Sequence, residues 1–186
     1  MQKVSGESSY RRYLNGDAEA FDEIINLYKK GLIGFILRYV GDYDTAEDIS
    51  EDCFVELIVS PGKYKFKSSL KTYLYGIARN KAVGHFRRNK SGSFISLEDA
   101  GELVSSLVVE DEAVRSEDKE MLGLALTALP KDYREVLELH YFEGLSYEEI
   151  GRVMKKSPKA VYNLAFRAKH ALKEKLEKDG FIYEEP

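Results

Sequence analysis

The chain has 186 residues, 44% of them hydrophobic and 12% aromatic, which is the composition of a soluble globular protein and excludes a disordered tail. Its formal net charge of −4, from 28 basic and 32 acidic side chains, argues at first against nucleic acid, but the charge is segregated into blocks and a binding surface is local. A single Cys53 excludes an internal disulfide and a cysteine metal cluster, and His85, His140 and His170 are too scattered in sequence to suggest a metal site. No run approaches the roughly 20 apolar residues of a membrane span. The polar start MQKVSGESSYRR has no signal-peptide core, so a cytoplasmic protein with no membrane insertion, no metal and no cofactor is expected.

In chain order, Asn15, Gly16 and Asp17 make a turn and cap, after which Phe21, Ile24, Ile25 and Tyr28 recur at helical spacing and predict a first helix. Residues 31–40 are strongly apolar and predict a second, buried helix closed by Gly41 and Asp42. A third helix opens at Asp44 and runs to about Ser60, where Pro61 and Gly62 stop it. Ala46, Ile49, Cys53 and Leu57 form its inward stripe, and Cys53 reads as a small buried hydrophobe. Glu47, Asp48 and Glu51 point the other way, together with Val55 and Ile58. Acidic residues four apart could be metal ligands, but a di-metal helix bundle needs Glu-x-x-His pairs, which are absent. Apolar side chains amid these acids favour a protein-contact surface over a merely solvated face.

The sign of the charge then reverses. Residues 42–56 carry no Lys or Arg, whereas residues 63–90 carry Lys63, Lys65, Lys67, Lys71, Arg79, Lys81, Arg87, Arg88 and Lys90 and no acid. Lys63, Lys65 and Lys67 alternate with Tyr64 and Phe66, a period that could mean a short strand. With no partner strand evident nearby, the preferred reading is a loop that offers cations to phosphates and rings to unstacked bases. Ser69 caps a long helix to about Arg88 with Leu70, Leu74, Ile77 and Ala78 on its buried side. Its other surface interleaves Tyr73, Tyr75 and Phe86 with Lys71, Arg79, Arg87 and Arg88. Lys81 falls near the apolar stripe, so some of these rings are also candidates for the core. Basic residues interleaved with aromatics suit single-stranded DNA better than a duplex, which hides the faces of its bases.

Residues 89–118 are rich in Ser and acid with only short apolar patches, and read as a linker. Beyond it come a helix around residues 119–129, another from Pro130 to about Phe142 ended by Gly144, and a third whose start is marked by Ser146 and Glu149 as a capping box. Lys155, Lys156 and Ser157 lead into Pro158, which ends that helix and suits the first position of the next. On the last helix Val161, Leu164, Ala165, Ala168 and Leu172 share one stripe, and Lys159, Asn163, Phe166, Arg167 and His170 lie roughly opposite. Two short helices joined by a tight turn, the second carrying cations and an amide, predict a helix-turn-helix that enters the DNA major groove. Lys159 and Arg167 can neutralise phosphates or donate to guanine, and Asn163 offers the paired donor and acceptor that read adenine. An amphipathic helix with a solvated charged face is the alternative.

Both ends of the chain resemble one family, the extracytoplasmic-function (ECF) sigma factors of bacterial RNA polymerase. TAEDISEDCFVEL is similar to the family's segment that docks on the polymerase clamp helices, and SLKTYLYGIARNKAVGHFRR resembles its W-L-x-x-I-A-x-N-x-x-x-D-x-x-R helix. LPKDYREVLELHYFEGLSYEEIGRVM followed by SPKAVYNLAFRAKHAL is similar to its promoter-reading unit, with EEIG in place of EIA. Glu51 stands where the family usually has Gln, Tyr73 where it often has Trp, and His85 near its frequent Asp.

The resemblance implies an all-α chain of two small helical domains on a flexible acidic tether. Residues 10–90 would engage core RNA polymerase and melt the minus-ten element, residues 91–117 would link, and residues 118–178 would hold the minus-thirty-five element. It implies that Asp48, Glu51, Asp52, Val55 and Ile58 contact the polymerase. Promoter DNA at the minus-ten element would meet Lys63, Tyr64, Lys65, Phe66, Lys67, Lys71, Tyr73, Tyr75, Arg79, Asn80, Arg87 and Arg88, with the loop capturing a flipped base. The upstream element would meet Lys155, Lys156, Ser157, Lys159, Asn163, Arg167 and His170, and an anti-sigma factor is an implied partner. A stand-alone helix-turn-helix regulator with an N-terminal dimerisation or ligand-binding domain is the competing reading. An enzyme is least favoured, for there is no glycine-rich phosphate loop, histidine motif or nucleophile elbow.

Overall fold

Helix boundaries in the first half of the chain follow the caps that side chains supply. In the computed structural model, which describes residues 5–88 and 116–180, Ser5 opens α1 (Gly6–Leu14) with a capping box in which Ser8 plays the reciprocal part. After Gly16 turns the chain at φ +100°, α2 runs over Glu19–Val40 and ends at Gly41, whose φ of +74° is the left-handed cap that glycine adopts without penalty. Asp42 then caps α3 (Tyr43–Val59), accepting from the Thr45 amide at 2.8 Å and hydroxyl at 2.6 Å, and these hydrogen bonds hold its carboxyl below the usual range. A 3-10 turn at Pro61–Lys63 leads into the loop before α4 (Leu70–Arg88), whose first turn receives the Ser69 hydroxyl at the Thr72 amide.

Two expectations are corrected here. The helices expected on either side of residue 30 are one helix, because Gly31 lies inside a turn whose neighbours Leu32, Phe35 and Ile36 are fully buried. Their burial outweighs the roughly 1 kcal/mol that a mid-helix glycine costs. The short α1 was not anticipated: its sequence GESSYRRYL is mostly polar, and Tyr10 is its one large side chain in the core.

The chain forms two compact units. In the first, α2 packs against α1, α3 and α4, and the core holds Tyr10, Ile24, Leu32, Phe35, Ile36, Leu57, Leu70, Leu74 and Tyr75. Cys53 lies there too, its thiol pushed up to about 12 by burial. The second unit holds α5 (Ser116–Thr127), α6 (Lys131–Leu137), a π turn at Glu138–Phe142, α7 (Tyr147–Met154) as far as Gly151, and α8 (Pro158–Lys178). Val136, Leu139, Leu145, Ile150, Val161, Ala165 and Ala168 are buried in it. The expected linker, residues 91–117, lies outside the described residues as far as residue 115, and α5 begins at Ser116. Among the described residues all regular structure is helical, as expected, and no helix is long and apolar enough to cross a membrane.

Candidate nucleic-acid and partner interfaces

The helix-turn-helix rests on a tight local geometry. Ser146 and Glu149 form the expected capping box at the start of α7, with Ser146 N–H donating to Glu149 at 3.0 Å and Glu149 N–H donating to the Ser146 hydroxyl at 3.3 Å. At the other end the Lys156 amide donates to the Gly151 carbonyl at 2.9 Å while Lys155 takes φ +56°, the Schellman arrangement. A Cβ on Gly151 would lie 2.7 Å from the Lys156 carbonyl oxygen, so the turn closes this tightly only because position 151 has no side chain. Ser157 then caps α8 through the Ala160 amide at 3.2 Å, with Pro158 in the first turn.

α8 divides as its periodicity predicts. Val161, Ala165 and Ala168 are buried, with Leu164 and Leu172 half-buried beside them. Lys159, Asn163, Arg167 and His170 are exposed on the opposite face, and Lys155 and Ser157 are exposed at its entrance. Lys156 is less available, half-buried with its ammonium 3.1 Å from Asp132. Tyr162 and Phe166 also stand on this face with more than half of their surface exposed, Phe166 with its ring 4.7 Å from that of His170. The polar stripe thus has an apolar component that a charge pattern alone does not weigh. Lys169 stacks over Tyr141 at 5.3 Å, and the hydrogen bond with the Tyr141 hydroxyl raises its pKa.

In the first unit, α3 turns Asp48, Glu51, Asp52, Val55 and Ile58 outward on one stripe, with Val55 50% and Ile58 44% exposed. Val59 extends the stripe at its end, a residue the sequence reading did not include. The acids are partly balanced: Lys29 lies 2.9 Å from Glu47 and 3.5 Å from Glu51, and Lys81 lies 3.6 Å from Asp52 and 3.8 Å from Glu56. Glu51 and Asp52 keep most of their side-chain surface exposed despite these contacts, so the face can exchange such surface pairs, which contribute little to stability, for a partner's charges.

The loop and α4 correct part of the aromatic assignment. Tyr64 is only 4% exposed, its hydroxyl donates to the Ser68 carbonyl at 2.7 Å, and burial raises its pKa. Tyr75 is 1% exposed and packs on Phe35 at 5.2 Å, because it shares a face with Leu74 and Ala78 that turns into α2. Neither ring offers a face to a base. Phe66 and Tyr73 are half-buried and share the cluster, each within 5.0 Å of Tyr64. Among the cations, Lys65, Lys67, Arg87 and Arg88 are exposed, as is Asn80, while Lys71 and Arg79 are half-buried. Lys63 is exposed but donates to Glu56 at 3.1 Å.

Comparison with known proteins places both units. Residues 24–92 match the family described as Sigma-70 region 2, and residues 119–172 match Sigma-70, region 4. The chain is 31% identical over 175 residues to the RNA polymerase sigma-H factor of Pseudomonas aeruginosa, covering 89% of this chain and 91% of that one. It is 32% identical over 152 residues to the ECF RNA polymerase sigma factor SigM of Bacillus subtilis, covering 82% and 92% respectively. Its fold is similar to that of CnrH solved in complex with the cytosolic domain of CnrY, with TM-score 0.69, 18% identity and coverage of 95% and 100%. It is also similar to that of the sigma factor RpoE solved with the anti-sigma factor NepR from Bartonella quintana, with TM-score 0.63, 23% identity and coverage of 84% and 96%. The region 2 match falls almost wholly in the first helical unit and the region 4 match lies largely in the second, and the chain belongs to the sigma-70 family as an ECF sigma factor of bacterial RNA polymerase.

Proposed function

We propose a division of labour within this sigma factor. The unit within residues 10–90 docks on core RNA polymerase through Asp48, Glu51, Asp52, Val55 and Ile58 and opens the minus-ten element, and the unit within residues 118–178 holds the upstream element. Residues 91–117 tether the two. The observation that carries this reading is the opposition on one helix of α3: a fully buried stripe of Ala46, Cys53 and Leu57 against an exposed stripe in which apolar Val55 and Ile58 stand among acids. A solvated face has no use for those two side chains, whereas a protein partner does.

Promoter opening is driven by binding energy and involves no bond chemistry. Phe66 and Tyr73, the two loop-side rings with accessible surface, compensate lost base stacking at about 1–3 kcal/mol per base. Lys65, Lys67, Arg87 and Arg88 follow the backbone phosphates. In the second unit Asn163 and Arg167 read base edges while Lys155, Lys159 and His170 hold phosphates. The protein works in the cytoplasm with its polymerase. The similarity to the sigma factor RpoE solved with the anti-sigma factor NepR supports regulation by an anti-sigma factor that covers these surfaces.

The test is reconstitution. The purified chain should co-elute with core polymerase and direct run-off transcription from a defined set of promoters. Binding to a duplex operator without polymerase, together with failure to join the core, would instead mark a stand-alone regulator.

A further inference from the structure

The most strained residue of the minus-ten loop lies under a helix that precedes the Sigma-70 region 2 match, which begins at residue 24. Phe66 has φ +55°, a left-handed conformation that is strongly disfavoured for an aromatic residue with a Cβ. Such geometry persists where the surroundings hold it, and it concentrates at functional sites. Here the surroundings are α1. The Arg11 guanidinium lies 4.2 Å from the centre of the Phe66 ring, and the Tyr10 ring lies 6.1 Å away on the same helix.

α1 is itself tied down from three sides. Towards α2, Ser9 donates to Glu23 at 2.6 Å, and Arg12 bridges Asp17 at 2.7 Å and Glu23 at 3.0 Å. Towards α3, the Tyr10 hydroxyl donates to the Leu57 carbonyl at 3.0 Å. Towards α4, Glu7 accepts from the Leu70 amide, the first of the helix that follows the loop. A Cβ on Gly6 would run into the Tyr28 side chain of α2. α1 therefore touches both flanks of the loop and the ring at its strained centre.

We propose that α1 is a brace for the base-capturing loop and that Arg11 is a positioning residue for promoter specificity, holding Phe66 in the conformation that shapes the cradle for an unstacked base. This rests on the reading of the loop as the site of base capture. Arg11 is exposed, so its removal leaves the core of the unit intact. It frees Phe66 to relax towards an extended backbone, which carries its ring out of the cradle.

The experiment uses holoenzyme assembled from the full chain and core RNA polymerase. Fluorescent single-stranded oligonucleotides carry the non-template minus-ten sequence of a promoter mapped with the same holoenzyme, and each base is changed in turn. Arg11→Ala should bind core as the parent does and lose discrimination about two- to fivefold at the captured base, with the other positions unaffected. Arg11→Lys, which keeps a cation over the ring, should retain most of that discrimination. Full discrimination in Arg11→Ala overturns the brace, and so does an equal loss for every oligonucleotide, which would make Arg11 a phosphate contact or a general stabiliser. A parent holoenzyme that distinguishes no base in single strands removes base capture itself, and the brace with it.

Discussion

Glu7 on α1 accepts a hydrogen bond from the Leu70 amide at the start of α4, joining residues 63 positions apart in sequence. Two of the orphan donors at the start of α4, the Thr72 and Leu70 amides, are thus met by a local cap from Ser69 and by a carboxylate from another helix, placed where the positive end of the α4 dipole favours it. Glu7→Ala should destabilise the first unit by about 1–2 kcal/mol, and Glu7→Gln, which keeps an acceptor oxygen, by less. Urea unfolding followed by circular dichroism separates the two. Equal midpoints for both variants and the parent would show that the bond does not contribute.

The acidic face of α3 makes a different kind of prediction. Glu51→Lys and Ile58→Glu should each weaken core-polymerase binding while leaving the unfolding free energy within about 0.5 kcal/mol of the parent's, because both side chains are exposed. Fluorescence anisotropy with labelled chain gives the affinity. If both variants bind core normally, the face is solvated and the polymerase docks elsewhere.

On α8, Asn163→Ala and Arg167→Ala should relax base preference at the upstream element, a good bidentate contact carrying about 1–3 kcal/mol of discrimination. Lys159→Ala should weaken all sequences alike and make the salt dependence shallower by about one unit of slope. Selection of bound sequences from a random duplex pool, repeated at several salt concentrations, distinguishes the two behaviours. Unchanged selection with both the Asn163 and Arg167 variants would remove direct readout by these side chains.

Lys155 should show stability and binding moving in opposite directions. Its φ of +56° is the conformation that a glycine adopts freely and that costs an ordinary residue about 1–2 kcal/mol. Lys155→Gly should therefore raise the unfolding midpoint of the chain while lowering its affinity for duplex DNA. A fall in both would mean that the lysine side chain stabilises the turn by some other route.

Much of this architecture was legible in the sequence, and the reasons are local. Ser146 with Glu149, Ser157 with Pro158, and the apolar stripe from Val161 to Ala168 each encode a cap or a face within a few residues, so the helix-turn-helix could be read directly. What the sequence hid depends on contacts between distant segments. α1 is a short polar helix tied to Leu57 and Leu70, neither of them near it in the chain. Tyr75 looks like its neighbour Tyr73 in sequence, but one ring turns into Phe35 and the other stays half-exposed, a difference that only the packing of α2 on α4 decides. Gly151 is a middle case: its presence was visible, but its close approach to the Lys156 carbonyl was not.

The claim that this sigma factor opens DNA with the Phe66 and Tyr73 rings is tested most directly by permanganate reactivity of thymines in the minus-ten element. Holoenzyme carrying the Phe66→Ala, Tyr73→Ala double variant should still bind core and form the closed complex, yet show little thymine reactivity on duplex promoter. A template with a pre-melted minus-ten bubble should recover most of the lost transcription, since part of the opening cost has already been met. Parental reactivity in the double variant, or loss of core binding and thermal stability with no recovery on the bubble template, would contradict the account.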